Sequence, residues 1–152
     1  MLSYRHAFHA GNHADILKHF VLHEVLSYMR QKDKGYWYID THAGAGYYAL
    51  DSGFASQNRE FDGGITRLWE LYKETDGAAL PAPLRPLLQL VRSLNPDGVL
   101  RCYPGSAGIA HALLRSEDRL HLCELHPAEL AEHHGDGIGS LSTSEPALVA
   151  RA

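Results

Sequence analysis

At 152 residues, 45% hydrophobic and 21% charged, the chain has the size and balance of one globular domain, or part of one, with enough length to bury a core. Its formal net charge of −4 excludes a surface given over wholly to polyanions, so any contact with nucleic acid has to be local. Cys102 and Cys123 are too few and too far apart for a disulfide framework or a Cys-x-x-Cys metal site, which suits a reducing cytoplasm, and no window approaches the roughly 20 apolar residues of a membrane span.

The opening segment is rich in histidine, with His6, His9, His13, His19 and His23 close together. Neither cysteine nor a matched acidic ligand accompanies them, so no metal site is expected. After Gly11-Asn12 the spacing of Ile16, Leu17, Phe20, Val21, Val25 and Leu26 predicts a helix from His13 to Met29. His19 and His23 lie one turn apart on it. Beside Tyr4, Arg5 and Lys18 these histidines suit a substrate-facing surface, and solvated polar positions explain any single one as well. Arg30-Gln31-Lys32-Asp33-Lys34-Gly35 is a charged stop, after which Tyr36-Trp37-Tyr38-Ile39 begins a first strand.

That strand ends in Asp40-Thr41-His42-Ala43-Gly44-Ala45-Gly46, an acid followed by closely spaced glycines. Glycines let a backbone turn sharply and come close to a ligand. The third glycine of a dinucleotide fingerprint is missing, and so is the Gly-Lys-Ser/Thr ending of a phosphate loop. S-adenosylmethionine fits better, because it has no phosphates and carries an ammonium that wants a carboxylate. A glycine-rich turn with no ligand is the alternative. Tyr47-Tyr48-Ala49-Leu50 reads as a short helix, broken by Asp51-Ser52-Gly53.

From there to Gly98 the pattern is helical, with Ile65, Leu68, Trp69, Leu71 and Tyr72 on one face and Leu84, Leu87, Leu88, Leu90 and Val91 on another. It reads as a helical insertion over residues 51–98, closed by the turn Asn95-Pro96-Asp97-Gly98. Tyr103-Pro104-Gly105-Ser106 leads into a helix from Ala107 to Leu114, and Arg119 to Leu125 is the second strand. Glu124 at its end is where a Rossmann-like site places an acid for the two hydroxyls of a ribose; the alternative is a surface glutamate.

The run Met1-Leu2-Ser3-Tyr4-Arg5-His6-Ala7-Phe8-His9-Ala10-Gly11-Asn12-His13-Ala14-Asp15 closely resembles the RlmJ family, which methylates an adenine N6 in 23S ribosomal RNA. The likeness continues through Leu17-Lys18-His19, the turn at 40–46, Tyr103-Pro104-Gly105-Ser106 and Glu124-Leu125-His126-Pro127. It covers about the first 130 residues in the same order. The resemblance implies an α/β, Rossmann-like, S-adenosylmethionine-dependent methyltransferase fold, incomplete in this chain, with a helical subdomain inserted after the glycine turn. It also implies that His19, His42, Ser106 and Glu124 contact the cofactor and that Tyr4 contacts the RNA; with the composition, the expectation is a cytoplasmic monomer without a metal or a membrane span.

The family's pattern is then broken. An adenine amine is a poor nucleophile, and aminomethyltransferases polarise it with an Asp-Pro-Pro-Tyr or Asn-Pro-Pro-Tyr loop that has no counterpart in this chain, so no residue is assigned as the catalytic aspartate. From His133 onward, small residues without apolar periodicity read as a disordered tail over 133–152, as in a frameshifted or prematurely ended member. Asp136-Gly137 follows Glu124 too soon, and without a strand, to stand for a cofactor contact. Three expectations compete: a 23S rRNA methyltransferase by ancestry, a cofactor- or RNA-binding remnant without catalysis, and a fragment that does not fold alone.

Overall fold

The computed structural model describes residues 6–51 and 55–124. Tyr4 and the tail over 133–152 lie outside the described residues.

After a 3-10 turn at His6–Phe8, helix α1 spans His13–Met29. Its start is capped by Asn12, whose side chain accepts from Asp15 N, while Asp15 Oδ2 accepts from Gly11 N at 3.2 Å. Strand β1 (Trp37–Asp40) follows, then β2 (Tyr47–Ala49), helices α2 (Ala55–Asn58), α3 (Ile65–Thr75) and α4 (Arg85–Leu94), strand β3 (Cys102–Pro104), helix α5 (Ser106–Leu113) and strand β4 (Arg119–Leu122). β1 pairs with β4 in parallel, from Trp37↔Arg119 to Asp40↔Leu122. β2 pairs with β3 antiparallel, Tyr48 opposite Tyr103. The molecule is mixed α/β.

Three expectations are corrected. Tyr47-Tyr48-Ala49-Leu50 is not a helix: Tyr47–Ala49 form β2, because these residues find a partner in Cys102–Pro104, a strand too short to be seen in the sequence. The strand expected over Arg119 to Leu125 is the fourth in the chain, not the second, because β2 and β3 precede it, and β4 spans Arg119–Leu122. Helix α1 has the expected bounds, but polar residues make up most of the face it buries. Its inward stripe is Asp15, His19, His23 and Leu26, whereas Leu17, Val21 and Val25 are exposed.

The main core lies where α3 and α4 meet the β2–β3 pair, with Ile65, Trp69, Leu88, Val91, Tyr48 and Tyr103 all buried. Asn95 closes α4 from within it. Its Nδ2 donates to the carbonyls of Val91 and Cys102, both at 2.8 Å, and its Oδ1 accepts from Arg101 N and Cys102 N. One amide side chain thus supplies β3 with an edge partner. A second cluster joins Leu26 of α1, Tyr36 and Ala110 of α5.

The far end of the parallel pair is held by Asp118 and Arg115. Asp118 Oδ1 accepts from Tyr36 N at 3.1 Å and from the Arg115 guanidinium, and its Oδ2 accepts from Arg115 N and Nε. The same guanidinium donates to the carbonyls of Arg30, Lys32 and Lys34 in the α1–β1 loop. Arg115 beside it holds the Asp118 carboxyl well below the usual range, at about 2.

Candidate cofactor site

The site forms at the carboxyl end of the parallel pair, where open α/β sheets bind ligands. Pairing continues past the strands: Cys123 N donates to Asp40 O at 2.8 Å and Ala43 N to Cys123 O at 3.0 Å. The glycine turn is therefore anchored to the end of β4. Gly44 and Gly46 have φ of +62° and +81°. A side chain on Gly44 would also collide with the Tyr48 hydroxyl.

Both strand-end acids face this turn. Glu124, half-buried, accepts at Oε2 from Gly44 N at 2.8 Å. Asp40 Oδ1 accepts from His42 N at 3.0 Å, and its Oδ2 accepts from Ser106 Oγ at 2.6 Å and Tyr38 Oη at 3.0 Å. Tyr38 and Asp40 are two apart on one strand and so share a face. Burial first, and then the Asp40 charge, raise the Tyr38 pKa, which keeps the phenol a donor. The second turn is drawn in by Gly105 N, which donates to Gly46 O at 2.8 Å. Gly108, one turn into α5, lets the two approach, since a Cβ there would sit 2.5 Å from Gly46 O.

The four expected cofactor residues fall into two groups. His42, Ser106 and Glu124 all border the glycine turn: His42 is exposed with Nδ1 2.9 Å from Thr41 Oγ1, and Ser106 is tied to Asp40 at the first turn of α5. His19 arrives from α1. It is buried, with Nδ1 2.9 Å from Tyr103 Oη and its ring stacked on Tyr103 at a centroid distance of 5.5 Å. Tyr103 pairs across to Tyr48, whose hydroxyl accepts from Ala45 N at 3.3 Å, so a chain of contacts links His19 to the turn. The spacing of motifs in the sequence gave no sign that Tyr38, Tyr48 and Tyr103 join these parts. The only signal was the period of two between Tyr38 and Asp40.

An amino-acid-bearing nucleoside needs acceptors for an ammonium, a donor for a carboxylate and an acid for a ribose diol. Ser106, Asp40, His19, His42 and Glu124 are of those types, and the side chains of Glu124 and Tyr48 already hold the turn's Gly44 and Ala45 N–H groups. A carboxylate has about four acceptor positions, so the bond to Gly44 is compatible with a second role for Glu124 toward a diol. Among the described residues, no three His, Cys, Asp or Glu side chains are grouped to hold a metal, and no helix is long and apolar enough to cross a membrane.

Residues 33–132 match the family described as Ribosomal RNA large subunit methyltransferase D, RlmJ. The chain belongs to the RlmJ family. It is 50% identical over 129 residues to Ribosomal RNA large subunit methyltransferase J of Escherichia coli strain K12, and 48% identical over 130 residues to the protein of that name from Haemophilus influenzae. Each match covers 85% of this RlmJ-family chain but 44% of the relative, so the chain spans about half the length of the curated relatives it matches. The crystal structure of protein LPL1258 from Legionella pneumophila superposes with a TM-score of 0.72 at 36% identity, covering 91% of this chain and 45% of that one.

Proposed function

We propose that this chain is the cofactor-binding part of a Rossmann-like, S-adenosylmethionine-dependent methyltransferase that acts on an adenine N6 of 23S ribosomal RNA. The observation that carries the reading is the meeting of Asp40 and Glu124 at one glycine turn, with Glu124 bonded to Gly44 N. Kinship with proteins named as ribosomal RNA methyltransferases supports the substrate class. A ribosomal RNA substrate fits a cytoplasmic protein, acting as a monomer.

When bound, the cofactor supplies an electrophilic methyl group on a sulfonium. Glu124 accepts from the ribose hydroxyls. Ser106, its own proton committed to Asp40, offers its oxygen as an acceptor to the ammonium, while His19 and His42 donate to the carboxylate. Tyr4 stacks on or beside the target base, a contact worth roughly 1–3 kcal/mol. In this reading the first segment (1–50) brings Asp40 and the glycine turn to the site and the third (99–132) brings Ser106 and Glu124, with the helical segment 51–98 between them in the chain.

A second reading has its own observation: none of the seven prolines lies next to another, so the chain has no Asp-Pro-Pro-Tyr loop. On that basis the chain alone binds the cofactor without transferring methyl groups, and turnover belongs to a protein that also carries such a loop. Calorimetric titration with S-adenosylmethionine, paired with a tritiated methyl assay on 23S RNA, tests both. Binding without transfer is expected. Glu124→Ala should weaken binding by about 1–3 kcal/mol, from loss of charged hydrogen bonds. An unchanged dissociation constant would remove Glu124 from the site, and no binding by the parent chain would defeat the functional reading.

A further inference from the structure

The buried contact between α1 and β3 carries a consequence for His19. Tyr103 is fully buried, and among the described residues its hydroxyl has one hydrogen-bond partner, His19 Nδ1 at 2.9 Å. A phenol buried this deeply keeps its proton: burial, and then the nearby Asp15 charge, push its pKa upward. A buried hydroxyl hydrogen left without an acceptor is costly, so the proton has to be donated to the atom it faces. Nδ1 of His19 is then the acceptor. A neutral imidazole that accepts at Nδ1 carries its hydrogen on Nε2. The ring stacking at 5.5 Å, with planes 30° apart, holds the imidazole in one orientation.

We infer that Tyr103 is a positioning residue that locks His19 as the Nε2–H tautomer, making that nitrogen a donor suited to a ligand carboxylate. The carboxylate is that of the amino-acid end of the cofactor, and this half of the inference rests on the functional reading above. Tyr103 itself does not touch the ligand. Its effect is to ensure that His19 does not present a lone pair to an anion, which would repel it.

The tautomer can be read without any ligand. In the full chain labelled with 15N-histidine at pH 7.5, His19 should show a protonated Nε2 and an unprotonated Nδ1 in long-range 1H–15N spectra. A protonated Nδ1 would overturn the inference. Tyr103→Phe keeps the ring and removes only the hydroxyl, and should turn the single tautomer into a mixture while the rest of the spectrum is retained. If that variant unfolds, the wild-type tautomer still decides the matter.

Cofactor titrations separate the two layers. Tyr103→Phe should weaken S-adenosylmethionine binding several-fold, and His19→Gln at least as much. Loss of affinity in His19→Gln with neither tautomer nor affinity altered in Tyr103→Phe would refute the positioning role and leave the functional reading intact. A tautomer shift in Tyr103→Phe, with binding untouched in both variants, would refute the carboxylate role and count against His19 as a cofactor residue.

Discussion

Asp118 shows how one buried carboxylate can set the acid limit of the fold. Its pKa is held at about 2, against roughly 3.9 in an unfolded chain, so the folded state binds fewer protons. Its contribution is therefore fully present above about pH 4 and is lost as the pH falls through 2. Asp118→Asn should cost about 2–3 kcal/mol in urea melts at pH 7, because Tyr36 N and the Arg115 guanidinium lose a charged acceptor. The gap between variant and parent should close near pH 2; a gap independent of pH would mean that shape and not charge is what the site needs. Gly108 makes a second case. Alanine is the better helix former by about 1 kcal/mol, yet Gly108→Ala should lower the melting temperature, because its Cβ meets Gly46 O at 2.5 Å and Tyr47 Cε1 at 2.9 Å. An unchanged or higher melting temperature would show that the two turns can separate at no cost.

Helix α1 inverts the usual logic of an amphipathic element. Val21 is 50% exposed and Leu26 is 4% exposed, although both belong to the same apolar periodicity. Val21→Lys should change stability by no more than about 0.5 kcal/mol, whereas Leu26→Ala should cost about 2–5 kcal/mol. Chemical denaturation of the pair checks this, and equal effects would mean that α1 is rotated about its axis so that Val21 also faces the core.

The same inversion marks the limit of what was legible in the sequence. The bounds of α1, the turn at Asn95–Gly98 and the strand that ends at Asp40 follow from caps, glycines and β-branched or aromatic residues, which are local signals. Which face of α1 turns inward is not local: His19 is buried because Tyr103, far along the chain, offers it a hydroxyl. Strands β2 and β3 were illegible for the same reason. Each is three residues long and exists because the other is there. In the site, Asp40 and Glu124 could be singled out from their places beside a glycine turn and after a late strand. The bonds from Tyr38, Ser106 and Gly44 that orient them could not.

At the scale of the molecule, the parallel pair is unevenly covered. Tyr38 turns toward α5, whereas Trp37 and Ile39 on the other face of β1 are 71% and 60% exposed. Parallel strands are ordinarily buried on both faces. The two tryptophans therefore report different environments, since Trp69 is only 1% exposed. Acrylamide should quench one emitting population readily and the other poorly, and Trp37→Phe should abolish the accessible one. Uniform protection of both would show that the outer face of β1 is covered in solution.

The clamp at the start of the parallel pair joins residues made at very different times. Tyr36 N and the Asp118 carboxylate are 82 positions apart, and Arg115 reaches back as far again to the α1–β1 loop. On a ribosome that adds about 5–20 residues per second, β1 emerges roughly 4–16 s before the strand it pairs with. During that interval Trp37 and Ile39 have no sheet to belong to, and the glycine turn has neither Cys123 nor Glu124 to hold it. A nascent chain stalled before Arg119 leaves the exit tunnel should have the helices of residues 55–94 and no cofactor turn. The site is thus among the last parts of the described chain to come into being, although its glycine turn is synthesised within the first third of the sequence.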